Sequence, residues 1–150
     1  MSGTDQELFN LAMSEESRPL MYAVQKHITE NVAPITEEFF ALNDEKEDRW
    51  TWHPRQTELL EGAKAKAKES GLWNFFLPDA ETGQGLNNLD YAYIAAELGK
   101  YSLASETLNC SAPDTGNMEV LERVGTPEQK DKWLTPLLNG EIRSCFSMTE

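Results

Sequence analysis

An all-α bundle of five to six helices is the fold this sequence predicts, and three observations predict it. Apolar residues step by three and four through residues 21–42. The segment 126–140 carries both a helix start and a helix stop. Glycine, proline and asparagine punctuate the chain between runs of helical period. At 150 residues the chain is long enough for one domain with a real core.

Residues 1–17 are polar apart from Leu8, Phe9, Leu11 and Met13, and read as a loosely held leader. Met21, Val24, Ile28, Val32, Ile35, Phe39 and Leu42 then keep one helical face. Pro34 lies inside that pattern, where its ring removes a backbone donor and crowds the preceding turn. The apolar phase runs on across it, so the spacing predicts one kinked helix rather than two. His27 falls off the stripe and reads as a surface or boundary residue.

The charge-dense run NDEKEDR at 43–49 predicts a solvated turn, and Trp50 and Trp52 after it read as packing anchors. His53-Pro54 opens the next helix, with Leu59, Leu60, Ala63 and Ala67 inward. Lys64, Lys66 and Lys68 fan around its other side, too dispersed for a phosphate patch, and Gly71 closes it. Trp73, Phe75, Phe76 and Leu77 are too apolar for the surface, and Pro78 blocks simple helix continuation. Gly83-Gln84-Gly85 lacks the third glycine, the preceding strand and the lysine of a phosphate loop, so it reads as a turn.

Asn88 is the expected cap of a helix whose inward positions are Leu89, Ala92, Tyr93, Ala96 and Leu98, with Gly99 at its end. Glu97 reads as a partner in a helix-end hydrogen bond or salt bridge. Residues 102–124 hold Leu103, Leu108, Met118, Val120 and Leu121, interrupted by the turn residues Pro113, Asp114, Thr115 and Gly116. In the last helix Thr126 is the N-cap, Pro127 suits the first position and Gln129 completes a capping box. Trp133, Leu134, Leu137 and Leu138 share a face, and Asn139-Gly140 offers a left-handed stop. Beyond it, Ile142, Ser144, Phe146 and Met148 alternate with Arg143, Cys145, Ser147 and Thr149, the period of a strand.

Twenty-six acidic residues against 13 basic ones give a formal charge of −13. That balance argues against nucleic acid, whose phosphates require a basic face, and against simple attraction to anionic membranes. No apolar run approaches a membrane span, and the N-terminus has neither the cationic and apolar regions of a secretory signal nor an Arg-rich transit pattern. Cys110 and Cys145 stand far apart with no metal or disulfide spacing. A cytoplasmic protein is the expectation.

The string GTPEQKDKWLTPLLNGEIRSCFSMTE at 125–150 resembles, at fixed spacing, the junction of the N-terminal helical domain and the middle β-domain in the acyl-CoA dehydrogenase superfamily. The run NCSAPDTGNMEVLE at 109–122 is most similar to the branch that includes its members ten and eleven. The similarity is densest from residue 71 onwards. It implies a leader at 1–17, a helical domain at 18–140, and at 141–150 the first strand of a β-domain that lies outside this chain. It also implies α,β-dehydrogenation of acyl-CoA thioesters in fatty-acid oxidation, with FAD as cofactor. By the same resemblance the flavin is contacted by Phe146, Met148 and Thr149, with Ser147 and Glu150 alongside. Phe146, Asn109, Ala112 and Pro113 are then expected against the substrate. For residues 109–117 a simple helix break without ligand contact is an equal alternative.

The partners implied are an acyl-CoA substrate, an electron-transfer flavoprotein as acceptor, and further copies of the full-length chain. The family's catalytic glutamate belongs to its C-terminal domain, so residues 1–150 alone are expected to be inactive. Two other readings stand beside this one. The first is an acyl-CoA oxidase or nitroalkane oxidase of the same fold; the second is an acidic helical module that binds a partner protein.

Overall fold

The computed structural model describes residues 11–46, 48–79 and 83–148. Helix α1 (Arg18–His27) passes without a break through a π turn (Ile28–Val32) into α2 (Ala33–Ala41), and ends in a 3-10 turn (Leu42–Glu45). The last helix is built the same way, from α7 (Pro127–Gln129), a π turn (Lys130–Leu134) and α8 (Thr135–Asn139). Pro34 and Pro136 each stand two residues past the end of a π turn. A proline ring clashes with the carbonyl four residues back, and the wider turn moves that carbonyl aside. Ala33 N–H accordingly reaches back to the Ile28 carbonyl, and Thr135 N–H to that of Lys130. The single distorted helix predicted across Pro34 is what forms. The second π turn is a feature that the apolar period of the last helix does not reveal.

Between these two rods lie α3 (Pro54–Glu69), α4 (Asn88–Leu98), the short α5 (Ala104–Thr107) and α6 (Asp114–Val124). Taking each proline-containing rod as one helix, the described residues form six helices and no strand, which is the all-α bundle the sequence predicts. Helix α1 packs on α4, α2 on α3, α3 on α5, and α6 on the final rod. Val24, Val32, Ile94, Leu108 and Met118 from these elements meet Phe75 and Leu77 of the connector in the core. Ala63 and Ala67 are buried along α3, as expected.

The ends of the helices follow local chemistry. The Thr126–Gln129 capping box is present, and Gly140 stops α8 at φ +74°. Gly71 likewise takes φ +68° after α3. His53 and Gln56 form a reciprocal cap at the start of α3: the Arg55 amide donates to His53 Nδ1 at 3.1 Å, and the His53 amide to Gln56 Oε1 at 3.0 Å. The cap of α4 is Asn87 rather than Asn88, its side chain accepting from the Asp90 amide at 2.8 Å.

Four expectations are corrected by the structure, three of them through long-range contacts. Helix α4 turns Asp90, Ile94 and Leu98 inward, while Ala92, Tyr93 and Ala96 are exposed. The reason is Asp90, only 2 % exposed, whose carboxylate accepts from the Ser14 amide, the Ser14 and Ser17 hydroxyls and the Asn87 amide group. A face read from apolar residues alone cannot include a buried acid. The same bonds correct the loosely held leader, because they fasten residues 14–17 to α4 beside a buried Met13. His27 is buried, bonded to Thr107 Oγ1 at 3.1 Å. Trp50 is exposed under the Arg49 guanidinium, and Trp52 only edges the Phe39 ring, so the pair anchors little. Glu97 pairs with Lys100 at 2.7 Å, a local helix-end bridge.

Candidate functional site

Gly140 turns the chain back, and the Glu141 amide bonds the Pro136 carbonyl at 2.9 Å to complete the reversal. The strip that follows, residues 143–148, lies along the start of α6 with no sheet partner among the described residues. Asp114, in the first turn of α6 and 2 % exposed, holds it. One carboxylate oxygen accepts from the Ser144 amide at 2.7 Å and the Ser144 hydroxyl at 2.5 Å. The other accepts from Arg143 Nε at 2.5 Å. Asn117, one turn on, donates to the Ser144 hydroxyl at 2.8 Å. Two residues further, the Phe146 ring rests on α6 at Gly116, where a β-carbon would stand 3.6 Å from it.

Arg143 carries the network onward. Its Nη1 donates to Glu106 Oε1 at 2.5 Å, and Lys64 Nζ of α3 lies 3.1 Å from the same oxygen. Burial alone would raise both carboxyl groups. For Asp114 the Ser144 and Arg143 donors outweigh burial, and for Glu106 Lys64 and Arg143 do, so each is held below the usual carboxylate range. Four groups from three helices and the strip thus form one ionised chain: Lys64, Glu106, Arg143 and Asp114.

This chain borders a cavity of about 590 Å³. Its apolar wall is Phe39, Phe40, Trp52 and Leu103; Ser111 and Ala112 approach from the α5–α6 connection. Lys46, Glu106 and Arg143 supply charge at its edge. Gln56 also lines it, and is locked in place by donating to the Phe39 carbonyl at 2.8 Å and to Asn43 Oδ1 at 3.0 Å.

The site residues predicted from sequence separate into three groups. Phe146, Ser147 and Met148 share the strip and are exposed, Phe146 by 62 % and Met148 by 82 %. Thr149 and Glu150 lie outside the described residues. Ala112 lines the cavity, whereas Pro113, joined to it by a cis peptide, is not among the lining residues. Asn109 does not line it: at φ +57° it is buried, and its amide donates to Asn74 Oδ1 at 2.7 Å and the Leu137 carbonyl at 3.0 Å. Asn109 therefore ties the connector to the last helix. The acid–base chain through Asp114, Glu106, Arg143 and Lys64 is what sequence reasoning missed, because its bonded pairs lie 29 or more positions apart. An arginine in an otherwise weakly polar strip, in a chain so rich in acid, is the one signal that could have pointed to it.

Among the described residues no cluster of His, Cys, Asp and Glu suits a metal ion, and no helix is long and apolar enough to cross a membrane. The strip fits a flavin in kind. Exposed apolar side chains at Phe146 and Met148 offer a surface for a ring system, and Ser147 between them carries an exposed hydroxyl.

Comparison with known proteins bears on this geometry. Residues 14–141 match the model of the acyl-CoA dehydrogenase N-terminal domain. The chain is 46 % identical over 143 residues to acyl-CoA dehydrogenase family member 10 of Mus musculus, covering 92 % of this chain and 13 % of that protein. It is 45 % identical over 150 residues to family member 11 of Gallus gallus, covering 98 % and 18 %. A solved structure from Mycobacterium abscessus, assigned as an acyl-CoA dehydrogenase, superposes with a TM-score of 0.83 at 44 % identity, over 93 % of this chain and 35 % of that one. The chain thus spans less than a fifth of the length of these two curated relatives.

Proposed function

The chain belongs to the acyl-CoA dehydrogenase family, and we propose that in its full-length protein it forms the helical wall of an FAD-dependent site that dehydrogenates acyl-CoA thioesters. The observation that carries this reading is the strip held on α6 with Phe146, Ser147 and Met148 exposed, a surface that a neighbouring domain and its cofactor would meet. Thr149 and Glu150 continue that contact in our reading.

FAD, when bound, supplies the hydride acceptor for removal of two hydrogens from the thioester carbons. The residues of this chain orient and enclose. Phe146 and Met148 exclude water from one side of the ring system, and Ser147 with the strip's main chain donates to its polar edge. Ala112 bounds the space for the acyl portion. The proton-abstracting carboxylate comes from outside residues 1–150 in this reading.

An electron-transfer flavoprotein as acceptor, self-association of the full-length protein, and a role in fatty-acid oxidation complete the proposal. The two cysteines are free thiols, which suits the cytoplasmic setting we propose. The test is to isolate the full-length protein, record its flavin absorbance, and follow flavin bleaching by acyl-CoAs of graded length. Bleaching by acyl-CoA with reoxidation through an electron-transfer flavoprotein supports the reading. Rapid reoxidation by oxygen alone would turn it toward an oxidase, and absence of flavin would sink it.

A further inference from the structure

The aromatic wall of the cavity is assembled from two places in the chain. Phe39 and Phe40 stand in the last turn of α2, and Trp52 belongs to the loop that leads into α3. Phe39 is the buried centre of the three, its ring meeting Phe40 edge-on at 5.4 Å between centroids and Trp52 at 5.2 Å. Phe40 and Trp52 are both well exposed, so these edge contacts alone hold them weakly.

Gln56 supplies a second hold. It stands in the first turn of α3 and is only 1 % exposed. Its Nε2 donates to the Phe39 carbonyl at 2.8 Å and to Asn43 Oδ1 at 3.0 Å, while Oε1 accepts from the His53 amide at 3.0 Å. One side chain thus grips the backbone that carries Phe39, the residue next to Trp52, and Asn43 past the end of α2. A buried amide costs stability unless its donors and acceptor are all met, and when they are met it specifies one arrangement. Every bond of this clamp lies between residues 39 and 56, inside the helical domain.

We propose that Gln56 is a positioning residue for acyl-chain selectivity, setting where the Phe40 and Trp52 rings meet the tail of the acyl group. The proposal rests on the reading of this cavity as the space for the acyl portion. Dispersion contact between a methylene chain and a ring falls away within an ångström, so a wall left to drift loses much of its grip. Only tails long enough to reach the rings feel that loss.

The experiment compares Q56M, Q56E, F40A and D90A in the full-length protein, with butyryl-CoA and palmitoyl-CoA as substrates. Q56M fills the space of the amide without its hydrogen bonds. The ionised side chain in Q56E still accepts from the His53 amide, but cannot donate to Phe39 or Asn43. F40A removes part of the wall directly. Asp90 is another buried, hydrogen-bonded polar group, on α4 and absent from the cavity lining, so D90A reports general destabilisation. Q56M and Q56E are each expected to lower kcat/KM for palmitoyl-CoA about tenfold relative to butyryl-CoA, the scale on which apolar pockets discriminate. The loss should fall on KM more than on kcat, as it does when binding rather than the chemical step is weakened. D90A is expected to lower the denaturation midpoint and keep the ratio of the two substrates.

A ratio that shifts in F40A but not in Q56M overturns the proposal and leaves the cavity reading standing. Q56E that matches the unmodified protein also overturns it, because the helix cap rather than the clamp would then explain Q56M. An equal shift in D90A does the same, by marking a loss of stability. If Q56M does not fold, Q56E carries the comparison. Flavin bleaching by both substrates with no shift in either F40A or Q56M would remove the cavity as the acyl site, and this inference with it.

Discussion

The His27 imidazole Nε2 stands 3.1 Å from the Thr107 hydroxyl, joining the end of α1 to α5 inside the core. That hydroxyl donates to the Ala104 carbonyl at 2.8 Å, so its lone pair accepts and His27 carries its proton on Nε2. Nδ1 is then the acceptor that faces the Asn31 amide at 3.4 Å. A second proton on the ring would set donor against donor in a buried site. Thr107 neighbours Glu106, so this contact also steadies the helix that presents the cavity's carboxylate.

Burial lowers the His27 pKa below its ordinary 6.5. A depressed folded-state value means the unfolded chain takes up the proton first, so the stabilisation is complete above pH 6.5 and is lost as pH falls through the folded value. The denaturation midpoint should decline from pH 6.5 downward, and H27Q should flatten that part of the profile. Parallel profiles for the two proteins would refute the assignment.

Asp90 gathers Ser14, Ser17 and Asn87 around one buried carboxylate. D90A leaves those donors without an acceptor and is expected to cost about 3 kcal/mol in denaturant unfolding. Hydrogen exchange should rise in residues 14–17 before the rest of α4 responds.

Gly140 meets two requirements that only glycine satisfies. Its φ of +74° is left-handed, and a β-carbon there would stand 2.8 Å from the Trp73 ring. Trp73 is itself fixed by donating to the Leu138 carbonyl at 2.7 Å, so the ring cannot simply retreat. G140A should destabilise by about 2 kcal/mol, read from the denaturant midpoint. A loss near zero would mean the turn relaxes.

Ala112 lines the cavity that we assign to the acyl portion. A112L adds bulk at that wall and should depress kcat/KM for long-chain acyl-CoAs about tenfold relative to short ones in the full-length enzyme. An unchanged chain-length profile would place the acyl group elsewhere.

The sequence by itself determined what depends on near neighbours. The capping box of Thr126 and Gln129, the stops at Gly71 and Gly140, and the helix that continues past Pro34 all rest on residues within a few positions of one another. Backbone donors at helix ends and the steric demands of glycine and proline are local physics, so they can be read locally. Tertiary structure decided where buried polar groups go. Asp90 finds Ser14 76 positions away, His27 finds Thr107 at 80, and Asp114 finds Ser144 at 30. A buried carboxylate or imidazole is tolerated only where distant donors and acceptors converge on it. That convergence turned α4 to an inward face that apolar spacing did not show, and it laid the Phe146 strip against α6.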